Sequence, residues 1–198
     1  DVCRSQHQAI AETVKSNYVW RFTTAAKSKL GDYRNKRVVA HFMQPHGPYF
    51  GEKAKTLREK LVAEHNIQFT RLSDTANSSG KKYADLMYAA KDGYLSSEQV
   101  REIYIENLEI VLEYARTLAD NLEGKTVISA DHGENLGNPG GLFAPKYGHN
   151  GFSPEVRFVP WMVLDYDNRK NVTREPPIES EGVDEETVAE QLKHLGYL

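Results

Sequence analysis

From Ser97 to Leu122 the side chains of Val100, Ile103, Tyr104, Val111, Tyr114, Leu118 and Leu122, with Asn107 among them, recur at three- and four-residue spacing. A helix with one apolar face of that length must be covered by other layers of the same domain, so this stretch dictates a packed architecture around it. Ser96 followed by Gln99 forms a capping-box signature at its start, and Gly124 supplies the stop. "KTVISA", residues 125–130, follows at once as a β-branched run that predicts a buried strand.

The remaining elements fall on either side. Ile10, Val14 and Tyr18 give residues 6–18 a helical spacing, and "KRVVAHFM", 36–43, predicts a buried strand. Ala54, Leu57 and Leu61 restore the helical period, residues 71–82 form a polar loop, and a short helix is expected around Tyr83, Leu86, Met87 and Ala90. After a glycine-rich loop over 131–153, "RFVPWMVLD", 157–165, predicts a third strand, which Pro160 places at an edge or starts after the proline. Residues 167–198 are expected to be a surface tail with a closing helix capped by Asp184 and running through Val188, Leu192 and Leu195. Strands separated by long helices imply right-handed crossovers, hence a mostly parallel sheet with helices on both faces in a single domain over 1–198. Ligands in such folds bind beyond the carboxyl ends of the strands.

Composition removes several classes of function. Twenty-five basic and 28 acidic residues leave a net charge of -3, without the basic stripe interleaved with aromatics that nucleic acid requires. No apolar run approaches the roughly 20 residues of a membrane span. The single cysteine, Cys3, excludes an internal disulfide, and together with the absence of a leader-like start it favours a cytoplasmic, reducing setting. The N-x-S/T triplets at Asn77 and Asn171 are expected only to mark surface loops.

Two segments could carry chemistry. In "ADHGENLG" Asp131 offers a carboxylate and His132 an imidazole, ligand types that zinc and manganese favour, while Gly133 lets the backbone turn sharply beside a bound group. His149, in "KYGHN", comes after a loop long enough to return to the same place. The plainer alternative has Asp131 capping the turn, His132 packed beneath the loop and His149 on the surface. In "HFMQPHGPYF" His41 lies in the first predicted strand and His46 just past its end, between Pro45 and Gly47–Pro48, where an imidazole could face a phosphate or sulfate oxygen; the alternative is a rigid loop with incidental histidines.

"ISADHGENLG", "YGHN" with "EVRFVPWMVLD", "QPHGPY" and the ending "EQLKHLGYL" together resemble the alkaline phosphatase superfamily, in its sulfatase-like and phosphoethanolamine-transferase-like branches, over roughly residues 37–198. The resemblance implies a three-layer α/β/α fold with a mostly parallel sheet, incomplete on its amino-terminal side, and a metal-dependent hydrolase or transferase of phosphate or sulfate esters. It implies Asp131 and His132 as metal ligands, and His149 as a further ligand or a contact to the transferred group. His46 would be a catalytic contact to the ester oxygens with His41 nearby, and Glu134 would orient His132 from behind. The implied cofactor is a divalent cation, zinc or manganese ahead of calcium or magnesium, and the implied substrate is a small-molecule or glycan ester.

One part of the family pattern has no counterpart: a strand ending in an acidic ligand, followed by a threonine, serine or cysteine nucleophile at a helix start. "CRSQH" at Cys3 puts His7 where that pattern wants an arginine, and Thr23 and Thr24 have no strand-ending acid before them. An amino-terminal half of the same protein is therefore the expected partner, and a metal- or anion-binding domain without turnover is the alternative.

Overall fold

The computed structural model describes residues 20–31, 34–69, 80–138 and 144–174. The helices expected over 6–18 and from Asp184 onward, Cys3, and most of the 71–82 loop lie outside the described residues. The fold is mixed α/β: helices α1 (Trp20–Lys29), α2 (Glu52–His65), α3 (Leu86–Lys91), α4 (Ser97–Ala119) and α5 (Pro154–Arg157), with strands β1 (Gln68–Phe69), β2 (Lys82–Tyr83), β3 (Val127–Ser129), β4 (Asn135–Leu136), β5 (Tyr147–Gly148) and β6 (Trp161–Val163). Among the described residues no helix is long and apolar enough to cross a membrane.

Helix α4 is the element on which the others assemble. Ser96 accepts from the Gln99 amide and Gln99 returns the bond to the Ser96 amide, the box expected from sequence. The helix ends at Ala119, one turn short of Leu122, and Gly124 takes a positive φ of 84° in the turn that follows. Helices α1, α2 and α3 and strand β4 all pack on it. Val100 and Ile103 are fully buried in a cluster with Tyr49, Ala54, Leu61 and Leu86, while Val111 joins Phe50 in a second, smaller cluster. Burial on this scale is worth roughly 1.5–3 kcal/mol for a side chain such as Ile103.

The pairing is more fragmentary than the expected sheet. β1 and β2 pair in parallel; β3 with β6 and β4 with β5 pair antiparallel, each couple forming its own two-stranded sheet. The strand expected at 36–43 makes no ladder among the described residues, and Val39 is 92% exposed. A β-branched run becomes a buried strand only when a neighbouring strand pairs with it, and no described strand pairs with this one. The strand at 125–130 contracts to β3, and that at 157–165 contracts to β6, which starts directly after Pro160, its first residue Arg157 instead ending the short helix α5.

Glu106 and Asn107, adjacent on α4, hold the segment that carries His46. The Glu106 carboxylate accepts from the amides of Lys53, at 3.1 Å, and Ala54, at 3.4 Å, capping the first turn of α2. A carboxylate there satisfies orphan N–H groups and faces the positive end of the helix dipole.

Candidate metal and anion site

Residues 41–46, 131–134 and 149, far apart in sequence, converge. The rings of His132 and His149 lie 4.4 Å apart between centroids, and those of His46 and His149 5.4 Å. His149 Nδ1 is 3.3 Å from Glu134 Oε1. His46, Glu134 and His149 each offer a ligand atom within 4.8 Å of the other two. Beside them, Asp131 Oδ2 lies 3.8 Å from His132 Nε2 and 3.6 Å from His41 Nε2.

The ring nitrogens are differentiated by their backbone partners. His46 Nδ1 is 2.8 Å from the Gly47 carbonyl oxygen and His132 Nδ1 is 2.9 Å from that of Gly133. A carbonyl oxygen only accepts, so each bond places the proton on Nδ1 and leaves Nε2 to present a lone pair. Glu134 does the same for His149. Hydrogen-bonding one ring nitrogen in this way to fix the tautomer of the other is the usual preparation of a metal-binding imidazole.

Asp131 does two jobs. Its Oδ1 accepts from the backbone amide of His132 at 3.0 Å, the turn-capping role of the plainer reading, while Oδ2 faces the two imidazoles. Gly133 is required for a reason other than a sharp turn. Its amide donates to Val156 O at 2.9 Å, and a Cβ there would run into the Glu155 carbonyl of α5.

The structure thus brings His132, His149 and Asp131 together, and places His41 at the outer edge against Asp131. Two placements differ from expectation. Glu134 meets His149, not His132, and His46 stands close enough to share a cation with Glu134 and His149 as well as to touch an ester oxygen. The helical spacing that put Asn107 on the buried face of α4 did not disclose its contacts with the His46 loop. Nor did anything in the sequence point to Asp85, Tyr49 and Tyr104 around the site.

Those neighbours shape its electrostatics. Burial, then the charges of Glu134 and Asp131, push the Tyr104 hydroxyl up to about 12. The fully buried Tyr49 hydroxyl is held far above its ordinary range by burial and by Glu134 and Asp85. Both phenols therefore stay protonated beside the acidic side of the site. Asp85, under the His46 loop, is pushed up to about 6 by burial, against the Leu86 amide, the Arg58 guanidinium, the Tyr49 amide and His46, which all favour its charged form.

The donor set fits a divalent cation of borderline softness. Imidazoles mixed with carboxylates suit zinc or manganese, whereas calcium and magnesium take mainly oxygen. Thr23 is buried and Thr24 exposed within α1. Comparison of the chain with protein-family models, curated proteins and solved structures gave no match.

Proposed function

We propose that this chain is the portion of a metal-dependent hydrolase or transferase of phosphate or sulfate esters that carries the metal-binding and anion-binding side chains, built on a three-layer alkaline-phosphatase-like plan with a mostly parallel sheet. The observation that carries this reading is the meeting of His46, Glu134 and His149 beside Asp131 and His132. A bound zinc or manganese ion would neutralise ester oxygens and lower the pKa of an attacking hydroxyl.

The protein's own groups have separable tasks. His132 and His149 present Nε2 as ligands, with Asp131 Oδ2 beside His132 and Glu134 behind His149. His46 binds through Nε2, as a lone pair toward a cation or, when protonated, as a donor to an ester oxygen. The Tyr49 and Tyr104 phenols keep their protons and so add no negative charge beside an anionic substrate. The nucleophile would come from an amino-terminal portion of the same protein, since the sequence has no strand-ending acid followed by one. That same gap supports a second reading, a metal- or anion-holding domain without turnover.

His149 belongs to both possible ligand sets, so His149→Ala tests the core of the proposal. Zinc and manganese binding by equilibrium dialysis should fall at least about tenfold in H149A with helical content retained. Asp131→Ala should lower binding if the cation sits toward His132, and spare it if the cation sits between His46 and Glu134. Wild-type protein that holds neither metal, or H149A with unchanged affinity, would remove the metal centre. Turnover of an aryl phosphate or aryl sulfate by the longest natural form of the protein then separates the enzyme from the binding domain.

A further inference from the structure

Asn107 lies in the middle of α4, on the same face as Ile103 and Val111, and is completely buried. An amide in an apolar helix interface is costly unless its hydrogen bonds are made, so its partners are the key to its presence. Nδ2 lies 3.1 Å from the Pro45 carbonyl, 3.3 Å from that of His46 and 3.4 Å from that of Pro48, and Oδ1 accepts from the Phe50 amide at 3.4 Å. Every one of these partners belongs to the loop that carries His46.

The loop needs such an outside donor. Pro45 and Pro48 have no N–H, so residues 45–48 hold more carbonyls than amides. The two N–H bonds of one carboxamide, shared among three carbonyls, gather the loop onto α4. Gly47 adds a second constraint. The Asp85 carboxylate occupies the space a Cβ would need, so the backbone is pressed against Asp85 there and its carbonyl is left to receive His46 Nδ1–H. The chain of contacts runs from Asn107 to the loop backbone, from the Gly47 carbonyl to Nδ1, and from Nδ1 to the direction and tautomer of Nε2.

We infer that Asn107 is the positioning residue for His46: it sets which ring nitrogen the imidazole offers and where. The metal-affinity part of its test rests on the metal-site reading above, whereas the tautomer part stands without it. A merely structural role predicts lower stability with an unchanged imidazole, so the readouts are chosen to tell the two apart.

The test uses the full chain as wild type, Asn107→Ala, Asn107→Ser, His46→Ala and the control Ile103→Val, which trims the same helix face one turn from Asn107 and removes no hydrogen bond. In metal-free protein at mildly alkaline pH, nitrogen-15 spectra of the His46 ring should show the Nδ1–H tautomer in wild type and I103V, and a mixture of tautomers in N107A. Asn107→Ser keeps one donor; it should fall between them and serves as the working variant if N107A does not fold. Zinc titration against a competing chelator should show N107A weakened about 10- to 100-fold, as removing the partners behind a ligand typically does, with I103V unchanged. An unchanged His46 tautomer in the folded Asn107 variants overturns the inference. So does zinc affinity that drops in H46A and stays at the wild-type value in N107A. If zinc binding is absent or indifferent to H46A, it is the metal reading that fails, and the tautomer result alone decides the role of Asn107.

Discussion

Raising the pH through the range in which Asp85 ionises should cost the protein stability. The carboxyl is held in the folded state at about 6 against an ordinary 3.8, with burial as the main cause. Between those values the native state binds more protons than the unfolded chain, so the slope of unfolding free energy with pH is negative. The full benefit of a protonated Asp85 is present below 3.8 and has gone above about 6. At about 1.4 kcal/mol per tenfold change in proton affinity, the difference is at most about 3 kcal/mol. Asp85→Asn cannot ionise, yet it keeps an acceptor for the Leu86 amide that Asp85 Oδ1 caps at 2.7 Å. Urea unfolding of both proteins in the presence of a chelator, from about pH 4 to about pH 7, should show D85N gaining on wild type by up to about 3 kcal/mol as pH rises. Parallel curves across that window would refute the reasoning, because titrating groups remote from Asp85 are common to both proteins and cancel in the difference.

Two further outcomes follow from packing and capping. Gly133→Ala should destabilise by about 1–3 kcal/mol in urea unfolding, because the added methyl meets the backbone carbonyl of Glu155 and not a side chain that could swing away. It should also weaken zinc binding by displacing His132. Ser96→Ala should cost about 1 kcal/mol and leave zinc affinity unchanged, since the α4 capping box it removes lies about three helical turns from Asn107.

What could be foreseen from sequence was what local chemistry decides. The Ser96–Gln99 box and the apolar period of α4 are encoded within a few residues of where they act, and both appear as expected. Val38 and Val39 carry as strong a β signal as Val127 and Ile128, yet among the described residues only the latter pair, with Val163 and Met162. Pairing depends on a distant segment, which no local pattern reports. Helix α1 was missed for a related reason: Thr23 and Thr24 disguise it, and its packing on α4 supports it from outside. At the site, the residue types of Asp131, His132, His149 and His46 were legible, whereas their partners were not. Asn107 looks like one more position on a buried helix face until the loop carbonyls are seen around it, and the attachment of Glu134 to His149 depends on a hairpin, β4 with β5, that brings residue 149 back to 134.

The two sides of the candidate site are mounted on unequal supports. His46 is tied to α4, whose buried face anchors the main cluster, whereas Asp131 and His132 extend from β3, one strand of a two-stranded ribbon whose other strand leaves Trp161 71% exposed. Two strands are only marginally stable by themselves. A cation held between the sides would therefore act as a clasp. At a hundred times its dissociation constant a ligand adds about 2.7 kcal/mol to stability. Here that gain would appear as a second tie between α4 and the ribbon, joining two parts of the chain that are otherwise held by separate sets of contacts.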